Sequence, residues 1–122
     1  MTLSSNMYNY KELDPELLEY VAVEEAQELQ DGERLFIEID DLPIVVFKLA
    51  GQYFAIADVC SHDDGPVGDG ELEGFEVICP RHGARFDIRN GKVLSLPAIV
   101  DIPAYPVLVT DGHIEIGVPL DR

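Results

Sequence analysis

The residues best equipped to do chemistry in this chain are Cys60, His62, Cys79 and His82, which spell C-x-H-x16-C-x2-H and use both of its cysteines. Two thiolates and two imidazoles can hold a tetrahedral zinc ion, or a two-iron cluster whose cysteines take one iron and whose histidines take the other. A C2H2 zinc finger groups its cysteines together and carries its histidines on a helix, whereas here each segment supplies one cysteine and one histidine. Mixed pairs on two loops suit a two-iron cluster if each loop sends its Cys to one iron and its His to the other; the spacing favours that arrangement and leaves zinc open. A disulfide is disfavoured, because each cysteine sits beside a histidine in a pattern that reads as metal ligation in a reducing compartment. Within Cys79-Pro80-Arg81-His82-Gly83, Pro80 stiffens the turn and Gly83 lets the backbone bend sharply after the histidine.

These ligands need strands to position them. Leu35-Phe36-Ile37-Glu38-Ile39, Ile44 to Leu49 and Gln52 to Ala57 read as consecutive antiparallel strands, with hairpin turns expected at Asp40-Asp41-Leu42-Pro43 and from Ala50-Gly51. The weak alternation of Val45-Val46-Phe47-Lys48-Leu49-Ala50 marks a central strand. Cys60 follows one strand and Cys79 follows another, Phe75 to Ile78, so the two ligand loops are expected side by side at one end of a sheet. Tyr105 to Thr110 and His113 to Val118 flank Asp111-Gly112, a strong hairpin signal. Glu24 to Leu29 prefers helix and is expected as a single turn between strands. Residues 1–19 form an N-terminal extension, the first ten expected to be disordered, with a short helical turn starting at Asp14-Pro15-Glu16. One domain is expected over 20–118, its cluster-binding part over about 58–98, followed by a tail at 119–122.

The chain has 122 residues, with 24 acidic side chains against 8 basic ones and a formal charge of -16. That charge makes nucleic acid and anionic membranes poor partners and a basic protein a natural one. No run approaches the roughly 18 apolar residues of a membrane span, and the N-terminus lacks the basic and apolar regions of a secretory signal, so the expected location is cytoplasmic. Residues 58–78 carry seven acids and neither Lys nor Arg, whereas 79–92 carry Arg81, Arg85, Arg89 and Lys92 against Asp87 alone. The two ligand loops therefore have opposite signs, an arrangement that could bind them together.

Cys60-Ser61-His62 followed by Cys79-Pro80-Arg81-His82-Gly83 closely resembles the Rieske iron-sulfur signature. The flanking DIRNGKVLSLPA, YPV and DGHIEI segments, and the strands upstream of Cys60, resemble the rest of a Rieske ferredoxin over about residues 20–118. The resemblance implies an all-β fold, an antiparallel β-sandwich with a small cluster-binding subdomain, and one [2Fe-2S] cluster held by Cys60, His62, Cys79 and His82. It also implies one-electron transfer from a flavin-containing reductase to a terminal oxygenase, by a carrier expected to be monomeric and not itself an enzyme. Two Fe(III), two sulfides, two thiolates and two neutral imidazoles sum to zero, whereas an all-cysteine cluster carries two more negative charges and is harder to reduce. Each histidine keeps one ring nitrogen free of iron, so reduction can couple to protonation at high pH.

High-potential members of the family join their loops by a disulfide at the positions of Gly65 and Arg81, and carry a serine and a tyrosine where this chain has Ala84 and Phe86. The missing disulfide and hydroxyls imply a potential low in the family range. Pro97 resembles the proline of the loop that covers the cluster in this family. His113 has no expected ligand role. A second His/carboxylate set for mononuclear iron is missing from the sequence, which points to delivery of electrons rather than oxygenation of a substrate. Two other readings remain, a small Rieske subunit of an assimilatory nitrite-reductase-like complex and a structural zinc domain for assembly.

Overall fold

The computed structural model describes residues 9–120. Ten strands among them form three antiparallel sheets. The largest runs β2-β3-β4-β8, built from Arg34–Ile39, Leu42–Leu49, Gln52–Ala57 and Ala104–Tyr105. A second runs β1-β10-β9, from Leu18–Ala22, His113–Pro119 and Val107–Thr110, and a third runs β5-β6-β7, from Leu72–Glu73, Glu76–Ile78 and Arg85–Asp87.

Turn chemistry sets the registers. Asp40-Asp41, Ala50-Gly51 and Asp111-Gly112 each have positive φ at both residues, the signature of the two-residue type I′ turn whose twist matches its strands. The first expected turn is thus shorter than four residues. Two aspartates complete the reversal, so Leu42 and Pro43 already belong to β3. Ala50 is held in its left-handed conformation by Asp31, whose carboxylate accepts the N–H groups of Ala50 and Gly51, both at 2.9 Å.

The central strand of the sequence pattern is β3, paired on both sides and fully buried from Ile44 to Phe47. Ile44 and Val46 face Ile114, Ile116 and Val118 in the core between the two larger sheets. Val45 and Phe47 face the opposite way, into a core that contains Cys60, Cys79, Val77 and Phe86. Each such burial is worth about 1.5–3 kcal/mol. A strand buried on both faces has no polar positions to alternate with, and this one carries the site on its back.

The expected strand from Tyr105 to Thr110 is two strands. Pro106 has no N–H to give a ladder, and the chain changes sheets there, from β4's neighbour β8 to β10's neighbour β9. Strand β1 opens at Leu18, inside the segment expected as the N-terminal extension, because Leu18 is buried and pairs with Pro119, which extends β10 one residue into the expected tail. The turns at Pro15–Leu17 and Glu24–Glu28 are 3₁₀, the first capped by the Asp14 carboxylate and the second burying Ala26. Expected disorder over residues 1–8 lies outside the described residues. Asn9 bridges to Ala104 and Tyr10 stacks on Tyr105 with ring centres 5.4 Å apart, so these two are packed.

Candidate metal centre

The two ligand loops are built alike. The Cys60 N–H donates to the Gly65 carbonyl at 2.7 Å, and the Asp64 N–H donates back to the Cys60 carbonyl at 2.7 Å. In the second loop the Cys79 N–H donates to the Ala84 carbonyl at 2.7 Å, and the Gly83 N–H donates to the Cys79 carbonyl at 3.0 Å. The fourth residue after each cysteine closes its turn with positive φ, 62° at Asp64 and 82° at Gly83. Glycine accepts that conformation freely, and aspartate is among the few other residues that tolerate it.

Half-buried polar groups behind the loops fix their position. The Asp58 carboxylate accepts the N–H groups of Val67 at 3.0 Å and Gly68 at 2.7 Å, which folds the Gly-rich stretch back on itself. Arg34 reaches over from β2 and donates to the carbonyls of Gly68 and Gly70 at 2.5 and 2.6 Å. Gly70 lies so close to the Ile78 carbonyl that a Cβ there would sit 1.8 Å from its oxygen. Two residues before Cys79, Val77 pairs with Phe86 across β6 and β7, so the small sheet carries the second ligand loop at its end.

All four candidate side chains come together. The His82 Nε2 lies 3.8 Å from Cys60 Sγ, 3.7 Å from Cys79 Sγ and 3.1 Å from His62 Nδ1. The donor atoms of Cys60, Cys79 and His82 all fall within 4.8 Å of one another. Both cysteines are buried, His82 is about one-fifth exposed and His62 is exposed, so the sulfurs sit deeper in the protein than the imidazoles. Burial pushes the Cys60 thiol up, and the neighbouring Cys79 adds to the effect. Holding a metal there requires loss of that proton, which couples binding to pH. The buried Nδ1 of His82 has no hydrogen-bond partner among the described residues, an open valence where an electrophile would be satisfied. Two soft sulfurs, two imidazoles and a bare buried ring nitrogen fit a Cys2His2 iron-sulfur site.

The expected electrostatic tie between the loops is present in Arg81. Its guanidinium takes the Asp63 carboxylate bidentately, Nε to Oδ2 at 2.7 Å and Nη2 to Oδ1 at 2.9 Å, and donates to the Pro66 carbonyl at 2.7 Å. It lies directly over Gly65, where a Cβ would come 2.8 Å from Arg81 Cζ. The guanidinium thus fills the space between the two ligand loops at Gly65. Hydrogen bonds from Arg81 and from the Gly65 N–H hold the Asp63 carboxyl far below the ordinary carboxylate range. Arg85 joins the same two oppositely charged stretches away from the ligands, pairing with Glu73 at 2.8 Å and Glu76 at 3.3 Å on the β5–β6 hairpin.

Pro97 sits in a loop packed against both ligand loops. The Ser61 hydroxyl donates to the Val100 carbonyl, the Ser95 hydroxyl accepts the Arg85 N–H at 3.1 Å, and Ala98 is buried in the core that holds both cysteines. Asp58, Ser61 and Ser95 are functional supports that sequence reading missed. The available signal was an acid just ahead of a Gly-rich run, with a serine between two ligands. His113, as expected, lies away from the centre, exposed and 3.6 Å from Glu24.

A family model for the Rieske [2Fe-2S] domain matches residues 19–106. The chain is 41% identical over 93 residues to the 3-phenylpropionate/cinnamic acid dioxygenase ferredoxin subunit of Photorhabdus laumondii, covering 75% of this chain and 88% of that one. Its fold superposes on the ferredoxin of carbazole 1,9a-dioxygenase from Nocardioides aromaticivorans with a TM-score of 0.71 and 28% identity, covering 81% and 95% of the two chains. It also matches a chain in a complex of reduced oxygenase and oxidized ferredoxin of carbazole 1,9a-dioxygenase, with a TM-score of 0.69 and 25% identity over 82% and 92%.

Proposed function

The chain belongs to the Rieske [2Fe-2S] family, and from that premise we propose that Cys60, His62, Cys79 and His82 hold its single cluster. It is a one-electron carrier that passes electrons to an oxygenase, a component of a dioxygenase system rather than a catalyst. The electron source we propose is a flavin-containing reductase, and the setting the cytoplasm. Among the described residues no helix is long and apolar enough to cross a membrane. The zinc alternative falls with the family assignment, and relatives named as dioxygenase ferredoxin subunits favour the oxygenase system over a nitrite-reductase-like complex.

One observation carries the ligand assignment: Cys60 Sγ, Cys79 Sγ and His62 Nδ1 all converge on His82 Nε2 within 3.8 Å. The bound cluster supplies a one-electron couple, within the roughly -150 to +300 mV spanned by Rieske centres. The protein's own work is division of the site into a dry side and a wet side. Buried Cys60 and Cys79, with Ala98 and Ile102 in the same core, keep water from the sulfurs. Exposed His62 and part-exposed His82 form the edge that a partner can touch. Arg81 and Asp63 hold the two loops at a fixed separation, so little rearrangement accompanies electron transfer.

The test is reduction of the purified protein by NADH through a flavoprotein reductase, followed anaerobically by mixing with an oxygenase component of a ring-hydroxylating dioxygenase. Reoxidation of one electron per chain is expected. Protein that reductase and dithionite both fail to reduce would overturn the reading, as would iron that survives intact in Cys60→Ser and His82→Ala variants.

A further inference from the structure

We propose that the loop over residues 94–100 is the apolar anchor by which this protein docks on its oxygenase. The face it fits is an apolar patch ringed by Lys and Arg side chains. The inference rests on the electron-carrier reading above and names the surface that reading requires.

Exposed apolar side chains are not scattered evenly. Ile99 at 77% and Leu96 at 74% are the two most exposed large apolar residues in the described chain, and Leu94 and Val100 lie beside them. Four of the nine large apolar side chains that stand exposed therefore fall within seven consecutive residues. Single exposed leucines need no explanation, but a cluster of this kind marks a contact surface.

This loop is held rather than slack. The Val93 N–H donates to the Asp101 carboxylate at 2.9 Å across its base, and the Leu94 N–H donates to the Arg85 carbonyl at 2.8 Å. Ser61, between Cys60 and His62, binds the Val100 carbonyl, while Ala98 anchors the inner side among the cysteines. Leu96 and Ile99 thus stand exposed on a loop tied through Val100 to Ser61, the neighbour of His62. A partner that approaches His62 closely enough to take an electron meets this loop.

Charge decides what kind of partner. Residues 58–92 hold eight acids and four bases, and the three arginines are already bound to carboxylates: Arg81 to Asp63, Arg85 to Glu73 and Glu76, Arg89 to Asp87. The exposed carboxylates Asp64, Asp69 and Glu71 keep the surroundings negative. A second copy of this chain, itself at -16, would meet the same acidic rim and be repelled. An oxygenase with a basic rim and an apolar centre is attracted by the first feature and held by the second.

The test uses holoprotein and, as probes, the oxygenase components of the 3-phenylpropionate/cinnamic acid and carbazole 1,9a-dioxygenases. The variants are Leu96→Ser/Ile99→Ser, Ile99→Ser alone and Asp64→Asn, with Val109→Ser on strand β9 as an exposed control. Where wild type turns over, the double variant is expected to raise KM for the carrier about tenfold or more, as loss of two central apolar contacts does. Its kcat, visible spectrum and rate of reoxidation by ferricyanide should not change, and the single variant should fall between. Asp64→Asn should weaken the dependence of KM on ionic strength, and Val109→Ser should leave KM unaltered. A KM within twofold of wild type for the double variant overturns the inference while the carrier reading stands. Wild type that transfers electrons to neither oxygenase overturns both.

Discussion

Adding hydroxyl donors behind the cysteines should raise the reduction potential of this protein by an amount that can be worked out in advance. Ala84 and Phe86 are fully buried in the same core as Cys60 and Cys79, and Ala84 is joined to Cys79 through the 2.7 Å bond to its N–H. Ala84→Ser and Phe86→Tyr would each place a donor in the low-dielectric core that holds both sulfurs, which become more negative on reduction. A net hydrogen bond is worth about 0.5–1.5 kcal/mol. For a one-electron couple, 59 mV corresponds to a tenfold change, or about 1.4 kcal/mol. Each hydroxyl should therefore raise the potential by about 20–65 mV, and the pair by about 40–130 mV. The assay is a redox titration followed by visible and EPR spectra, with thermal unfolding run alongside, because one extra oxygen in a packed core can cost about 1–3 kcal/mol. A double variant that folds, keeps its cluster and titrates within 10 mV of wild type would refute the reasoning. A shift to lower potential would refute it more strongly.

Three other variants, each at a named contact, carry the remaining predictions. Arg81→Gln should shorten the lifetime of the cluster without changing the fold, read as the rate of colour loss under a chelator. Asp63 has a depressed pKa when folded, so the stabilisation from its pairing is whole above the ordinary carboxylate pKa of about 3.9 and is lost as pH falls through the lower folded value. The Tm difference between wild type and Arg81→Gln should thus hold steady from pH 7 to about pH 5 and shrink below pH 4; a difference that grows in acid would contradict the pairing. Gly70→Ala forces a Cβ against the Ile78 carbonyl and should destabilise the protein by at least about 2 kcal/mol in urea unfolding, with an unchanged midpoint counting against the close approach. Tyr10→Ala removes the stack on Tyr105 and should cost about 1 kcal/mol by the same assay, whereas no change would mean that the extension adds nothing to the sheet.

Much of this molecule is legible in its sequence because its signals are local. Asp-Asp, Ala-Gly and Asp-Gly between apolar runs report the three type I′ turns, and the ligand motif reports two loops, but these leave two different sheets, after β4 of the largest and β6 of the smallest, rather than one end of a single sheet as expected. What is hard to read has physical reasons. Strands β5 and β7 are two and three residues long, too short to show a period. The sheet change at Pro106 interrupts one apolar run, and composition alone does not say that the halves pair with different neighbours. The Arg81–Asp63 pairing joins residues 18 apart. Opposite charges announced an attraction there, but only the folded loops decide that Arg81 takes the role and Arg85 turns to the β5–β6 hairpin.

The central claim is that Cys60, His62, Cys79 and His82 together hold one cluster that carries one electron. Its most direct test is anaerobic purification with iron and acid-labile sulfide analysis, followed by EPR of the protein during reductive titration. The account predicts two irons and two sulfides per chain and an EPR signal that grows with one-electron behaviour to one spin per chain, lost in each of the four ligand variants. Colourless, EPR-silent protein carrying one zinc ion per chain would contradict it.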